Sequence, residues 1–277
     1  FTLSWAVGSR PDHPLRFCAP EREPLLRMWD VSANAWHEAL VGAAEQGMLD
    51  LAASYASDVV FVDEGRAPPG PFVEALVARA HDLGFVTSVF AIGEEQGFEA
   101  LDDVVRGFVK QLATPAATKK GLVGLLDAYA DRAGKKAVEK FDEAAGEAGF
   151  FGDLHRVARG YLAAVREPRQ ELKILRAWLD GTELSRSPLD EPLSALSPRT
   201  AKRALADLSR LVVAMGHRGL VLIARRAEHL TKLTPVRREM AYTVLRELVD
   251  NADSPRGLVA SRLYVVGESA LFEGSRS

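Results

Sequence analysis

Apolar and polar positions along this chain follow two periods, and together they predict strands alternating with helices toward both ends and helices in between. "DVVFVDEG", Asp58 to Gly65, is a short continuous apolar run closed by a turn residue. A strand covered on both faces reads this way. "FVTSVFAI" and "LYVV" share its β-branched and aromatic character, and "LVLI" is equally apolar. These runs predict strands near 59–63, 85–91, 220–224 and 263–266. Helical spacing fills most of the rest. "LLRMWDVSANAWHEALVGAAEQGMLDLAASYA" predicts a helical N-terminal segment, and "GPFVEALVARAHDLG" predicts a helix ending at Gly84. From about 97 to 195 the pattern is helical throughout. "SPRTAKRALADLSRLVVAMG" predicts a helix with Ser197 as N-cap and Pro198 at N1, stopping at Gly216, and Thr234–Pro235 repeats the device for the next helix. Strands separated by helices argue for a mainly parallel sheet covered on both faces.

Composition narrows the class without naming a function. With 277 residues, 47% hydrophobic and 26% charged, the chain can bury an ample core as a globular protein. The single cysteine, Cys18, excludes an intramolecular disulfide and a cysteine-built zinc site, and suits a reducing cytoplasm. No apolar run approaches the roughly 20 residues that span a bilayer. The first residues lack a signal peptide's basic start and apolar stretch, and Phe1 in place of Met is consistent with a trimmed start. A cytoplasmic location is the expectation.

The net charge of −3 hides a division. Residues 1–109 hold seven arginines, no lysine and 17 Asp plus Glu, a balance of −10. Residues 198–238 hold ten Lys and Arg against Asp207 and Glu228, a balance of +8. Such a segment either coats solvent-facing helix sides or attracts nucleic acid or an acidic partner. No aromatic residue interleaves with the basic ones, which argues against a single-strand stacking platform.

In parallel sheets ligands gather at the carboxyl ends of the strands. After the first strand comes "GRAPPGPF". Gly65 and Gly70 have the spacing of a phosphate-binding loop, but Pro71 and Phe72 stand where a lysine and a hydroxyl should follow. Pro68, Pro69 and Pro71 also lack the backbone N–H that such a loop aims at phosphate. An ordinary Gly/Pro turn is the alternative, and neither binds ATP in the usual way. No lysine precedes Lys110. Two other stretches are decoys. Asp63-Glu64 has no G-K-[ST] loop before it, and Gly134–Lys136 sits inside a helical pattern with no preceding strand. The six histidines form no metal-ligand pair, and no nucleophile constellation emerges. The expectation is no catalytic residue, no metal and no cofactor.

From about Val59 to Glu273 the chain resembles the bacterial P-loop ATP-binding family of bacteriophage-exclusion (BREX) systems. The residues that carry the likeness are "LVGLLDAYADRA", "LKILRAWLDGTELSR", "PLSALSPRTAKRALADLSRLVVAMGHRGLVLI", "AEHLTKLTPVRREMAYTVLRELVDNAD" and "LYVVGESALFE". The resemblance implies a P-loop NTPase-like, three-layer αβα sandwich over 58–277, with a helical insertion at about 97–195. Residues 1–57 form a divergent segment, and the family's C-terminal lid is not matched. It also implies that 59–63 lies centrally beside 220–224.

In the family the strand before "AEHL" ends in Asp-Glu. Here those positions are Arg225 and Arg226, while Ser269 falls near a polar sensor residue and Gly65–Phe72 on the phosphate loop. Two carboxylates attract Mg²⁺; two guanidiniums repel it and cannot act as a base. The expectation is therefore a pseudo-ATPase that binds a protein partner, such as an active ATPase, a small regulatory protein or a second copy. The alternatives are a divergent active ATPase using ATP and Mg²⁺, with Glu228 as its nearest acid, and a nucleic-acid module built on 198–238.

Overall fold

The computed structural model describes residues 2–3, 26–30, 36–63, 71–93, 97–150, 152–165, 172–173, 175–176, 196–254 and 256–268. Their centre is a seven-stranded sheet. Its strands are β1 (Thr2–Leu3), β2 (Leu26–Asp30), β3 (Ser57–Asp63), β4 (Val86–Ala91), β5 (Leu112–Ala113), β6 (Leu220–Arg225) and β7 (Ser261–Gly267). The order across the sheet is β1-β2-β3-β7-β6-β4-β5. The five central strands are parallel, and the short β1 and β5 close the edges antiparallel.

Alternation along each strand splits the core in two. Val60, Val62, Val221, Ile223, Tyr264 and Val266 face α1 (Trp36–Ser54) and α2 (Pro71–Asp82). Their neighbours Val59, Phe61, Leu220, Leu222, Leu263 and Val265 belong to the larger cluster on the other face. There they meet α3 (Leu101–Gln111), α7 (Ala201–Ala214) and α8 (Pro235–Asp253). Next to these lie α4 (Leu122–Ala133), α5 (Ala137–Glu147) and α6 (Asp153–Ala164). Their buried Phe141, Phe150 and Tyr161 continue the same core. Gly134–Lys136 is a 3-10 turn between α4 and α5.

Four expectations change. The stretch 97–195 is not helical throughout, since Leu112–Ala113 forms the edge strand β5 against β4. The helical reading of residues 25–56 fails at its start, since Leu26–Asp30 is a strand and the helix begins at Trp36. Strand 59–63 is not beside 220–224, because β7 lies between them and pairs with both. The helix after Ser197 begins only at Ala201. The Ser197 carbonyl accepts from the Thr200 and Ala201 N–H groups, so 198–200 are spent on a turn. The other start stands as read, with Thr234 at the N-cap and Pro235 opening α8.

The sheet encloses one ion pair. Asp58 and Arg262 face each other across β3 and β7 in register. Arg262 Nε and Nη2 donate to the two Asp58 carboxylate oxygens at 2.7 and 2.6 Å. The two residues are only 2% and 6% exposed. The guanidinium lies under α1 at Gly47, where an added Cβ would come within 2.2 Å of Arg262 Nη1. Glycine at position 47 is therefore a space requirement.

Connections place the candidate site. The helix after β3, α2, covers one face, while the chain leaving β6 leads into α8 on the other. Ligands of open parallel sheets bind in the crevice outside the carboxyl ends of the strands, which here are the ends of β3, β7 and β6.

Candidate functional site

β6 is buried along its length until Arg225, which is half-buried at its carboxyl end. Arg225 pairs with Ala91 of β4, and its carbonyl accepts from the Ile92 N–H at 3.0 Å. Strand alternation puts its side chain on the α2 side with Val221 and Ile223. The chain then breaks direction at Arg226, whose φ of 62° is left-handed. A left-handed residue that is not glycine stores about 1–2 kcal/mol. The break starts a 3-10 turn over Ala227–Lys232 that folds back across the sheet end.

That turn brings three charged or polar side chains together. Arg226 Nη2 lies 2.8 Å from His229 Nε2. A guanidinium only donates, so Nε2 accepts and the imidazole proton belongs on Nδ1. The buried Glu228 carboxylate lies 3.9 Å from Arg226 Nε and 3.8 Å from His229 Nε2. Two glycines make room. A Cβ on Gly93, whose φ is +83°, would sit 2.5 Å from His229 Nδ1, and one on Gly267 would press on Ala227 and Glu228 at 3.1 Å. Nearby, Glu99 pairs with Arg237 of α8 at 2.5 Å.

The loop side of the crevice is different in kind. Pro71 is the exposed first residue of α2, while Phe72 is 1% exposed and packs with Val60, Val62 and Leu76. The position that the glycine spacing would give to a loop hydroxyl holds a phenyl ring packed in the core. Gly65, Gly70 and Ser269 lie outside the described residues. Asp63, at the end of β3, is in register with Gly267. Arg225 is two strands away from it, about 10 Å laterally at the usual spacing.

Magnesium does not suit the end of β6. It would meet the guanidiniums of Arg225 and Arg226, and the one acid of the turn, Glu228, already faces Arg226 and His229. Among the described residues no group of three or more His, Cys, Asp or Glu could hold a metal ion. The basic stretch 198–238 is also not one patch. Arg218 lies beyond the amino end of β6 and Arg225 at its carboxyl end, more than about 17 Å apart for six residues at strand rise. Arg238 Nη2 donates to the Thr231 and Leu233 carbonyls, Arg237 pairs with Glu99, and Arg203 faces Asp207 at 3.7 Å. No described helix is long and apolar enough to cross a membrane.

The contribution of His229 was not legible in the sequence. Only the three-residue spacing from Arg226 hinted at it, and that spacing meets across a turn only once the backbone at Arg226 is left-handed. The left-handed break is testable on its own. Arg226→Gly should be more stable than Arg226→Ala by about 1 kcal/mol, since both lose the same side-chain contacts and only glycine relieves the backbone. Equal urea midpoints for the two variants would mean that position 226 carries no such strain.

No curated protein and no solved structure matches the chain. A family model does, over residues 99–276, which takes in α3 through β7 together with Arg225, Arg226 and their turn. The Gly65–Phe72 stretch lies before that match. With well over half of its length matched, the chain belongs to the family described as BREX system ATP-binding protein BrxC/D.

Proposed function

We propose that this chain is a non-hydrolysing member of its ATP-binding family, a pseudo-ATPase on a P-loop-like α/β sheet, and that it serves as a protein-binding component of a phage-defence-type assembly. One observation carries the reading. At the carboxyl end of β6, where the resemblance places an acidic pair, Arg225 and Arg226 close the strand, and Glu228 faces the Arg226 guanidinium and the His229 ring of its own turn. Phosphoryl transfer depends on positive charge and metal placed against the nucleotide and on a group that orients the attacking oxygen. Two guanidiniums on the base side repel the metal and accept no proton. The second support is independent. Phe72, where the glycine spacing would call for the loop hydroxyl, is buried in the core, and no lysine precedes Lys110. A fold that keeps its packed sheet but lacks these groups is suited to binding rather than turnover.

Isothermal titration with Mg-ATP and a phosphate-release assay test this together. The expected result is no saturable binding below about 1 mM, the regime of −4 kcal/mol or weaker, and no release above the protein-free rate. Micromolar binding that is lost on Arg225→Glu with Arg226→Glu, or any turnover lost with them, would overturn the reading.

A further inference from the structure

Few large apolar side chains are left open to solvent on the described part of this molecule. Among the described residues they are Tyr55, Val236 and Met240. Tyr55 stands alone at the amino end of β3. Val236 and Met240 differ: they are four residues apart, so they lie one above the other on the first two turns of α8, at 69% and 48% exposure. The buried face of that helix is Ala241, Val244, Leu245 and Leu248, so Val236 and Met240 are not strays from the core stripe.

Charge around the pair is mostly basic, with the exposed Glu239 as the exception. Residues 225–246 carry six Lys and Arg against Glu228 and Glu239, a balance of +4. The first turn of α8 holds no acid, and the helix N-terminus adds its own partial positive charge. Lys232 and Arg237 are exposed beside the apolar pair, with Arg237 part-compensated by Glu99. The 227–232 turn joins this helix start to Arg226 at the candidate site. A two-residue apolar step with a cationic border matches one ligand chemistry: a short amphipathic segment with two aliphatic or aromatic anchors at i, i+4 and acidic residues on either side. Complementary charge would select and steer that partner, and the apolar anchors would hold it.

We infer that the first two turns of α8, Val236 and Met240 with their basic border, are the docking site for an acidic amphipathic segment of another protein. This deepens the proposed protein-binding role and rests on it. A displayed library of random 16-residue peptides, selected on the full chain and counter-selected on Val236→Ser with Met240→Gln, tests it. Both positions are solvent-facing, so the double variant should keep the wild-type melting curve. Enriched peptides should be acidic with apolar residues at i, i+4, bind at least tenfold more weakly to the variant, and weaken further between 50 and 300 mM salt. Enrichment of basic or uncharged peptides, or equal binding to the variant, would sink the site. A concentration-dependent dimer by light scattering that the double variant abolishes would give the face to a second copy instead, and equally overturn the assignment. Phosphate release measured on the same samples keeps the two ideas separate: turnover would end the pseudo-ATPase reading without altering the peptide result.

Discussion

Asp58→Ala should destabilise the protein by about 3–5 kcal/mol, the cost of stranding a charge inside a core. The Arg262 guanidinium is the group stranded. Burial opposes its charge, yet Tyr264 and the Asp58 carboxylate more than offset that and make it harder than usual to deprotonate. It is only 2% exposed: α1 lies over it at Gly47, and beyond Asp58 it meets the Tyr264 side chain and, at 3.5 Å, the Ala44 carbonyl. Arg262→Met strands the opposite charge and should cost a similar amount. The double change Asp58→Leu with Arg262→Met should recover most of the loss, since a packed apolar pair replaces the ionic one without leaving either charge alone. Urea and thermal unfolding of the four proteins are the measurements. The single variants should melt roughly 10 °C lower, at a few degrees per kcal/mol for a chain of this size. Singles within 1 kcal/mol of wild type would mean the pair is not enclosed as described. The consequence reaches the site, because β3 and β7 are the strands the pair ties together and both end at the crevice.

That ion pair also marks what the sequence could not say. Asp58 and Arg262 are 204 residues apart, and no local pattern links them. The four buried strands were legible because apolar β-branched runs bounded by turn residues have few other uses. Their order was not. Strand order follows from which face each crossover helix covers, and that depends on distant contacts; hence β7, rather than β6, is the neighbour of β3. Leu26–Asp30 was misread because "LLRMWD" has apolar residues at spacings a helix would also accept, and only pairing with β3 makes it a strand. At the site, two arginines closing an apolar strand were plain from residue types, and only the resemblance makes them a reversal of an acidic pair. The left-handed break at Arg226 was not plain, since glycine or asparagine is the usual signal for that conformation. Phe72 is the converse case. Its absence of chemistry was readable, while its burial in the α2 face came only with the fold.

Acidification should weaken the fold through His217, at the end of the sheet away from the crevice. This side chain follows Gly216, whose φ of +79° ends α7, and precedes β6. Burial pushes its pKa from 6.5 down to about 4; the Arg132 guanidinium pushes the same way, and a hydrogen bond with the Gly84 backbone opposes them. The sign follows from proton counting. Below pH 6.5 the unfolded chain protonates this histidine, while the folded chain resists until about pH 4, so the unfolded state binds more protons across that window. Stability contributed by the neutral ring is therefore complete above 6.5, falls as pH is lowered, and is gone below about 4. The full span is about 3 kcal/mol, less whatever solvent access remains, and roughly 2 kcal/mol of it should be lost between pH 7.5 and 5.0. His81 and His155, also lowered chiefly by burial, add to the same slope, whereas Asp207, raised by burial, works against it. His217→Gln keeps a polar group of similar size but has no proton to gain. Its unfolding free energy should change less between those two pH values than that of the wild type, by roughly 2 kcal/mol. Arg132→Met should move His217 partway back toward 6.5 and shrink the slope by a fraction of that. If wild type and His217→Gln lose stability in parallel as pH falls, the histidine is not held neutral in the fold, and the acid sensitivity belongs to other groups.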